Sequence, residues 1–173
     1  VNIAHAYITQ YIGIKEGSAY SETKIKSINT RIRELSFLQE SAPWRMDFTS
    51  TTNKLNLYLR AKSANKADVL IGLQPNNQET GGKFLLTGDI KLAFVNALGQ
   101  GENLQLNWQN LQYKSPRYNI LFSAPYLLKS PIGISGKFDF YKKDTTFRTI
   151  NGELGLFYQF NANDKIKIYS DQK

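Results

Sequence analysis

The chain has 173 residues, 41% of them hydrophobic, with ten Tyr, ten Phe and a formal net charge of +8. That length suits one ordinary domain or two small ones, and the absence of cysteine excludes disulfides and thiolate metal sites. No run approaches the roughly 18 apolar residues of a membrane helix, and the 22 Lys and Arg are scattered, with no run longer than Lys142-Lys143, where a nucleic-acid module needs a clustered stripe.

The first residue is Val1 and no leader segment is visible, so the chain is expected to be a piece of a longer protein. Composition shifts near residue 65. Before it, residues 4–12 form a weakly patterned helix ending at the glycines of GIKEGSAY. The segment YSETKIKSINTRIREL carries Ile25, Ile28, Ile32 and Leu35 on one helical stripe, with Ser21 as N-cap. Two strands follow. WRMDFTS alternates Trp44, Met46 and Phe48 with Arg45, Asp47 and Thr49, and KLNLYLRAK alternates Leu55, Leu57 and Leu59 with Asn56, Tyr58 and Arg60. Helix, helix, strand, strand describes a small α/β unit over residues 1–64.

From residue 65 the pattern is of seven strands and no helix. DVLIGLQP places Val69, Ile71 and Leu73 on one face. The turn 76–82 leads into a long strand with Phe84, Leu86, Ile90, Leu92 and Phe94 on one face, and Lys83, Thr87, Asp89 and Lys91 on the other. LQLNWQNLQY sets Leu104, Leu106 and Trp108 against Gln105, Asn107 and Gln109. YNILFSAPY follows. ISGKFDFYK sets Ile134, Phe138 and Phe140 against Ser135, Lys137 and Asp139. TINGELGLFYQF sets Ile150, Leu154, Leu156, Tyr158 and Phe160 against Asn151, Glu153 and Gln159, with Phe157 breaking the pattern, and KIKIYS closes the series. The fold class is therefore mainly β: an antiparallel meander preceded by an α/β unit.

Long strands with one apolar and one polar face fit a transmembrane barrel, whose strands need about 9–11 residues. No later segment has the helical period needed to cover the apolar face, so lipid is the expected cover for Phe84, Leu86, Ile90, Leu92, Phe94, Leu104, Leu106, Trp108, Phe138, Phe140, Leu154 and Leu156. Tyr113, Tyr118, Tyr126 and Tyr141 near strand ends fit an interfacial girdle. The same alternation also fits a soluble up-and-down barrel holding an apolar ligand inside.

Enzyme chemistry lacks its parts. His5 is the sole histidine, which removes Ser-His-Asp and His-metal sites. TGGKF lacks the glycine at Asn77 and the Ser or Thr at Phe84 that a phosphate loop requires. GISGK has Lys137 where a nucleophile elbow needs glycine. Asp139 and Asp144 are the remaining carboxylate pair, one expected on the polar face and one in a turn. Neither a cofactor nor a metal is expected.

LLTGDIKLAFVNALGQGENLQLNW resembles the early barrel strands of BamA-like outer-membrane assembly factors and of two-partner secretion transporters, with their N-x-L-G-x-G-E/D turn. APYLLKSPIGISGKFDFYKKDTTF resembles the same superfamily's P-Y-L-F-x-x-P-x-G turn and the strand after it. YIGIKEGSAYSETKI resembles the L-G-I-x-x-G-x-x-Y stretch of a POTRA domain. The resemblance covers nearly the whole chain, but the first POTRA strand is missing or reduced to VNI. Only seven of the family's sixteen barrel strands are found, and no R-G-F/Y loop motif is present.

The resemblance implies that residues 1–64 are the last POTRA unit and residues 65–173 the first strands of a transmembrane barrel. The protein would sit in the bacterial outer membrane with its N-terminal unit in the periplasm. Turns 97–103, 127–133 and 161–164 would face the periplasm, and turns 76–82, 115–117 and 143–148 the outside. The implied function is non-enzymatic assembly or translocation of polypeptides by strand-edge pairing. Residues 68–75 are the candidate edge, through Val69, Leu70, Ile71, Gly72 and Leu73. They read as the shortest strand before the last and end at Pro75. Leu55, Leu57 and Leu59 mark a second candidate edge. Implied partners are unfolded outer-membrane or secreted polypeptides and outer-membrane lipid, with room for accessory lipoproteins and no nucleic acid. A porin-like channel or a soluble ligand-binding barrel is the alternative.

Overall fold

The computed structural model describes residues 2–75, 84–160 and 164–172. Helix α1 (His5–Ile12) ends on Gly13, whose φ of 71° closes it in the left-handed conformation. Helix α2 (Glu22–Glu34) follows, with Ser21 at its N-cap position but no side-chain capping bond. The expected stripe is its inner face: Ile25, Ile28, Ile32 and the adjoining Leu35 are buried. Arg31 Nη1 donates to the Tyr11 carbonyl at 2.5 Å, and Tyr11 Oη donates to Glu34 Oε2 at 2.8 Å, so the helices are tied by polar bonds as well as packing.

Strands β1 (Leu38–Phe48) and β2 (Asn53–Ala61) form a two-stranded antiparallel sheet beneath the helices. Leu55, Leu57 and Leu59 pack against both helical clusters. Strand β1 begins six residues before the expected Trp44. Its first half, with Pro43 and polar residues, hides from an alternation test because the register shifts between Glu40 and Ala42 and again between Ala42 and Arg45.

The remaining strands are β3 (Lys66–Gln74), β4 (Leu85–Val95), β5 (Asn103–Asn110), β6 (Arg117–Ala124), β7 (Ile132–Lys143), β8 (Phe147–Gln159) and β9 (Lys165–Gln172). They form one seven-stranded sheet in strict sequence order, every pair antiparallel. A short 3-10 turn, Leu127–Lys129, sits between β6 and β7. The architecture is thus a mainly β meander preceded by two helices and a hairpin. At nine residues β3 is not the shortest strand before the last, since β5 and β6 have eight each. Its pairing with β4 extends it back to Lys66, beyond the apolar residues that marked it in the sequence. Turn 76–82, most of turn 161–164 and the Thr80–Lys83 part of TGGKF lie outside the described residues.

Among the described residues the buried apolar side chains lie between Tyr7 and Leu38, with two exceptions, Pro125 in the β6–β7 turn and Phe157. The small α/β unit owns a core; the large sheet does not.

Candidate functional site

Cross-strand pairing joins the alternating residues into two continuous surfaces. Across one face run Ile71 opposite Gly88, Val69 opposite Ile90, Ile90 opposite Trp108, Leu92 opposite Leu106 and Phe94 opposite Leu104. The row continues through Leu106 opposite Ile120, Ile120 opposite Phe138, Tyr118 opposite Phe140, Gly136 opposite Leu154 and Ile134 opposite Leu156. Every strand residue assigned to lipid from the sequence falls on this one face, and Phe84 immediately precedes β4 in the same phase. Leu154 is 76% exposed and Phe84 74%. A strand slip of one residue would turn each apolar set to the other side; here seven strands agree.

The opposite face is a hydrogen-bonded polar surface. Asn107, Asn119 and Asp139 are direct cross-strand partners on β5, β6 and β7. Asn107 Nδ2 donates to Asn119 Oδ1 at 3.1 Å, and Asn119 Nδ2 donates to Asp139 Oδ1 at 2.5 Å. Lys137 Nζ lies 2.8 Å from the other Asp139 oxygen. Gln109 Nε2 donates to Asp89 Oδ2 at 2.8 Å, and Lys91 stands 3.5 Å from the same atom. Lys167 pairs with Glu153. Asp144 lies in the β7–β8 turn, its N–H donating to Ser115 Oγ at 3.1 Å, while Asp139 stands within β7 on the polar face. Phe157, the break in the pattern, lies on this polar side. A Cβ built on its cross-strand partner Gly133 would stand 2.3 Å from the Phe157 Cζ, so the missing side chain makes room for the ring.

Among the described residues the sheet has two open edges: β3 pairs with β4 along all nine residues and has no second neighbour, and β9 pairs only with β8. Val69, Leu70, Ile71 and Leu73 are exposed, Leu70 by 67%. Strand β2 likewise has one neighbour, β1. Beside it Leu55, Leu57 and Leu59 line a cavity of about 570 Å³ together with Ile8, Ile12 and Ile25.

The tyrosines divide rather than forming one belt. Tyr118 lies on the apolar face beside Phe140, ring centroids 5.7 Å apart. Tyr141 pairs with Arg117 on the polar face, with the Arg117 guanidinium 4.8 Å from its ring centre. Tyr126 belongs elsewhere: its ring meets Tyr7 of α1 edge-on at 5.4 Å, and burial pushes its phenol up to about 12. Tyr7 is raised further by its own burial. The contact of Tyr7, Tyr126, Gly101 and Glu102 is invisible to periodicity. Its only trace in the sequence is the unusual composition of the turns NALGQGEN and APYLLKSPIG.

No protein-family model matches the chain, and no curated protein sequence matches it. Among solved structures it is similar to BamA from Haemophilus ducreyi, in a crystal structure lacking POTRA domains 1–3. The TM-score is 0.58 at 16% sequence identity, and the match covers 96% of this chain and 32% of that one. At that identity the likeness establishes the fold: the seven-strand meander and its preceding elements have the architecture of the BamA barrel part. The chain spans about a third of the matched chain.

Proposed function

We infer that this chain is part of an outer-membrane protein that assembles or translocates other polypeptides. Residues 1–64 are its last POTRA-like unit and residues 65–173 its first barrel strands. The observation that carries the reading is the uncovered apolar face spanning seven strands, backed by a polar face whose side chains bond to one another. Water over such an apolar face is costly, at about 25 cal/mol per Å²; acyl chains remove that cost. An aqueous lumen suits the amides and ion pairs opposite.

In hydrocarbon each unsatisfied backbone group costs several kcal/mol, so the open edge at β3 demands a partner strand. An incoming polypeptide strand pairing along Val69, Leu70, Ile71, Gly72 and Leu73 satisfies that demand. The edge at β2, through Leu55, Leu57 and Leu59, offers a second, aqueous place to hold an extended client. The N-terminal unit then lies in the periplasm, and turns 97–103 and 127–133 face it.

The test is site-specific photocrosslinking in the membranes of cells making the protein, with the probe at Ile71 and, as control, at Ile120 in the middle of the sheet. Polypeptide adducts at Ile71, with lipid adducts alone at Ile120, are expected. Lipid alone at both sites would leave a porin-like channel. Absence of lipid adducts, with the chain staying in solution without detergent, would return the soluble barrel.

A further inference from the structure

Two turns at the same end of the large sheet grip the N-terminal unit. In the β4–β5 turn, Asn96 Oδ1 accepts the Gly101 N–H at 2.8 Å, and the Asn96 N–H donates to the Glu102 carbonyl at 2.7 Å. The Glu102 carboxylate, 5% exposed, accepts the N–H groups of Leu98 and of Gln100. This turn is held in shape by its own side chains before anything docks on it.

What docks is the start of the chain. The Ala4 N–H donates to the Gly99 carbonyl at 2.6 Å, and Asn96 Nδ2 donates to the Asn2 carbonyl at 3.1 Å. Gly101, at φ +74°, lies so close to Tyr7 that a Cβ there would stand 2.0 Å from the ring. From the other side comes Tyr126 of the β6–β7 turn, a non-glycine residue held at φ 56°, its ring edge on Tyr7. Tyr7 also stacks on Tyr11, centroids 5.9 Å apart with planes 4° from parallel. One side chain thus belongs at once to the core of the α/β unit and to both turns. A third tie lies beside the short connection between β2 and β3, where Asn65 Oδ1 accepts the Val95 N–H at 2.9 Å.

We propose that α1 and these two turns form a rigid joint, with Tyr7 as its pin, so that the N-terminal unit and the large sheet move as one body. The two turn motifs are explained by this joint: glycines at 99 and 101 admit the chain start and the Tyr7 ring, and the Pro-Tyr of the second turn presents Tyr126. Neither lipid contact nor edge pairing needs those residues. A hinged unit would instead be joined by a solvated linker with no shared core residue.

The chain has no native cysteine, so spin labels report only introduced sites. Cysteines replacing Lys26 on α2 and Thr149 on β8, in the full chain in lipid nanodiscs, give a distance across the joint by double electron–electron resonance. A single narrow distance distribution is expected. Gly101→Val and Tyr126→Ala should broaden it, while Tyr7→Phe, which keeps the ring, should not. A second label pair within the sheet, at Asn107 and Thr149, distinguishes a loosened joint from a disordered sheet. If Gly101→Val disturbs that pair, Tyr126→Ala, which leaves the β4–β5 turn untouched, carries the comparison. A broad or multiple distribution in the parent chain overturns the proposal outright, and so does a parent-like width in both broadening variants.

Discussion

Trp108 covers Gly88 on the apolar face: a Cβ built at Gly88 would stand 2.6 Å from the indole Cζ3. The glycine is thus a seat for the ring, and the two belong to adjacent paired strands. Gly88→Ala should therefore push the indole off its seat and cost about 1–3 kcal/mol, as overpacking commonly does. Urea unfolding of the chain in lipid vesicles measures this; an unchanged midpoint would show that the indole moves away freely.

The same ring tests what covers the sheet. The chain has two tryptophans, Trp44 in β1 and Trp108 in β5. With Trp44→Phe, the fluorescence of Trp108 in vesicles should be quenched by brominated acyl chains. With Trp108→Phe, the fluorescence of Trp44 should not. Equal quenching of both would contradict the proposed separation of a lipid-facing sheet from an aqueous α/β unit.

Adjacent positions on β5 should answer oppositely to the same substitution. Leu106 is on the apolar face and Gln105 on the polar one. Leu106→Arg should destabilise the sheet in a bilayer by about 2–4 kcal/mol, the scale for a charge near the midplane of a barrel wall. Gln105→Arg should stay within about 0.5 kcal/mol. Reversal of that order would mean the apolar face points inward.

Most of this architecture was legible in the residues because the strand period of two is rigid: once Phe84, Leu86, Ile90, Leu92 and Phe94 share a parity, their common face follows. The stripe on α2 was legible for the same reason. What periodicity could not reveal is anything built by contact between distant segments. The first half of β1 was hidden by two register shifts. Tyr126 looked like a strand-end aromatic, and only the approach of Tyr7, 119 positions earlier in the chain, gives it a different role. Glu102 stood in the sequence only as the acidic position of the N-x-L-G-x-G-E/D turn; that its carboxylate faces back into its own turn is seen only in the fold.

Glu102→Gln tests that turn. The two carboxylate oxygens each accept a backbone N–H, and an amide has only one acceptor atom. One N–H must then face an NH₂ group, a loss of about 1–3 kcal/mol for a buried unsatisfied donor. Hydrogen exchange at the Leu98 and Gln100 amides should accelerate in the variant, while β7 amides keep their protection. Unchanged exchange at both would remove the carboxylate from its structural role.

The joint should also respond to alkali. Burial disfavours the Tyr126 phenolate and pushes its phenol up to about 12 from the ordinary tyrosine value of 10.0, and Tyr7 is shifted the same way. Since folding raises both values, the unfolded form loses these protons first. The stabilisation is complete below about pH 10 and is lost as pH rises through the folded-state values. A phenolate absorbance titration should show late-titrating tyrosines, and Tyr126→Phe should remove one of them. Titration of all ten in a single step near pH 10 would contradict the burial of this pair.

The polar ladder has an electrical consequence. Asp89, Asp139 and Glu153 each stand beside a lysine, Lys91, Lys137 and Lys167 in turn, and the amides of Asn107, Asn119 and Gln109 spend donors on one another or on those acids. Opposite charges so close cancel within a few ångströms, well inside a Debye length of about 8 Å at physiological salt. At these three pairs the wall therefore presents alternating dipoles rather than a field of one sign.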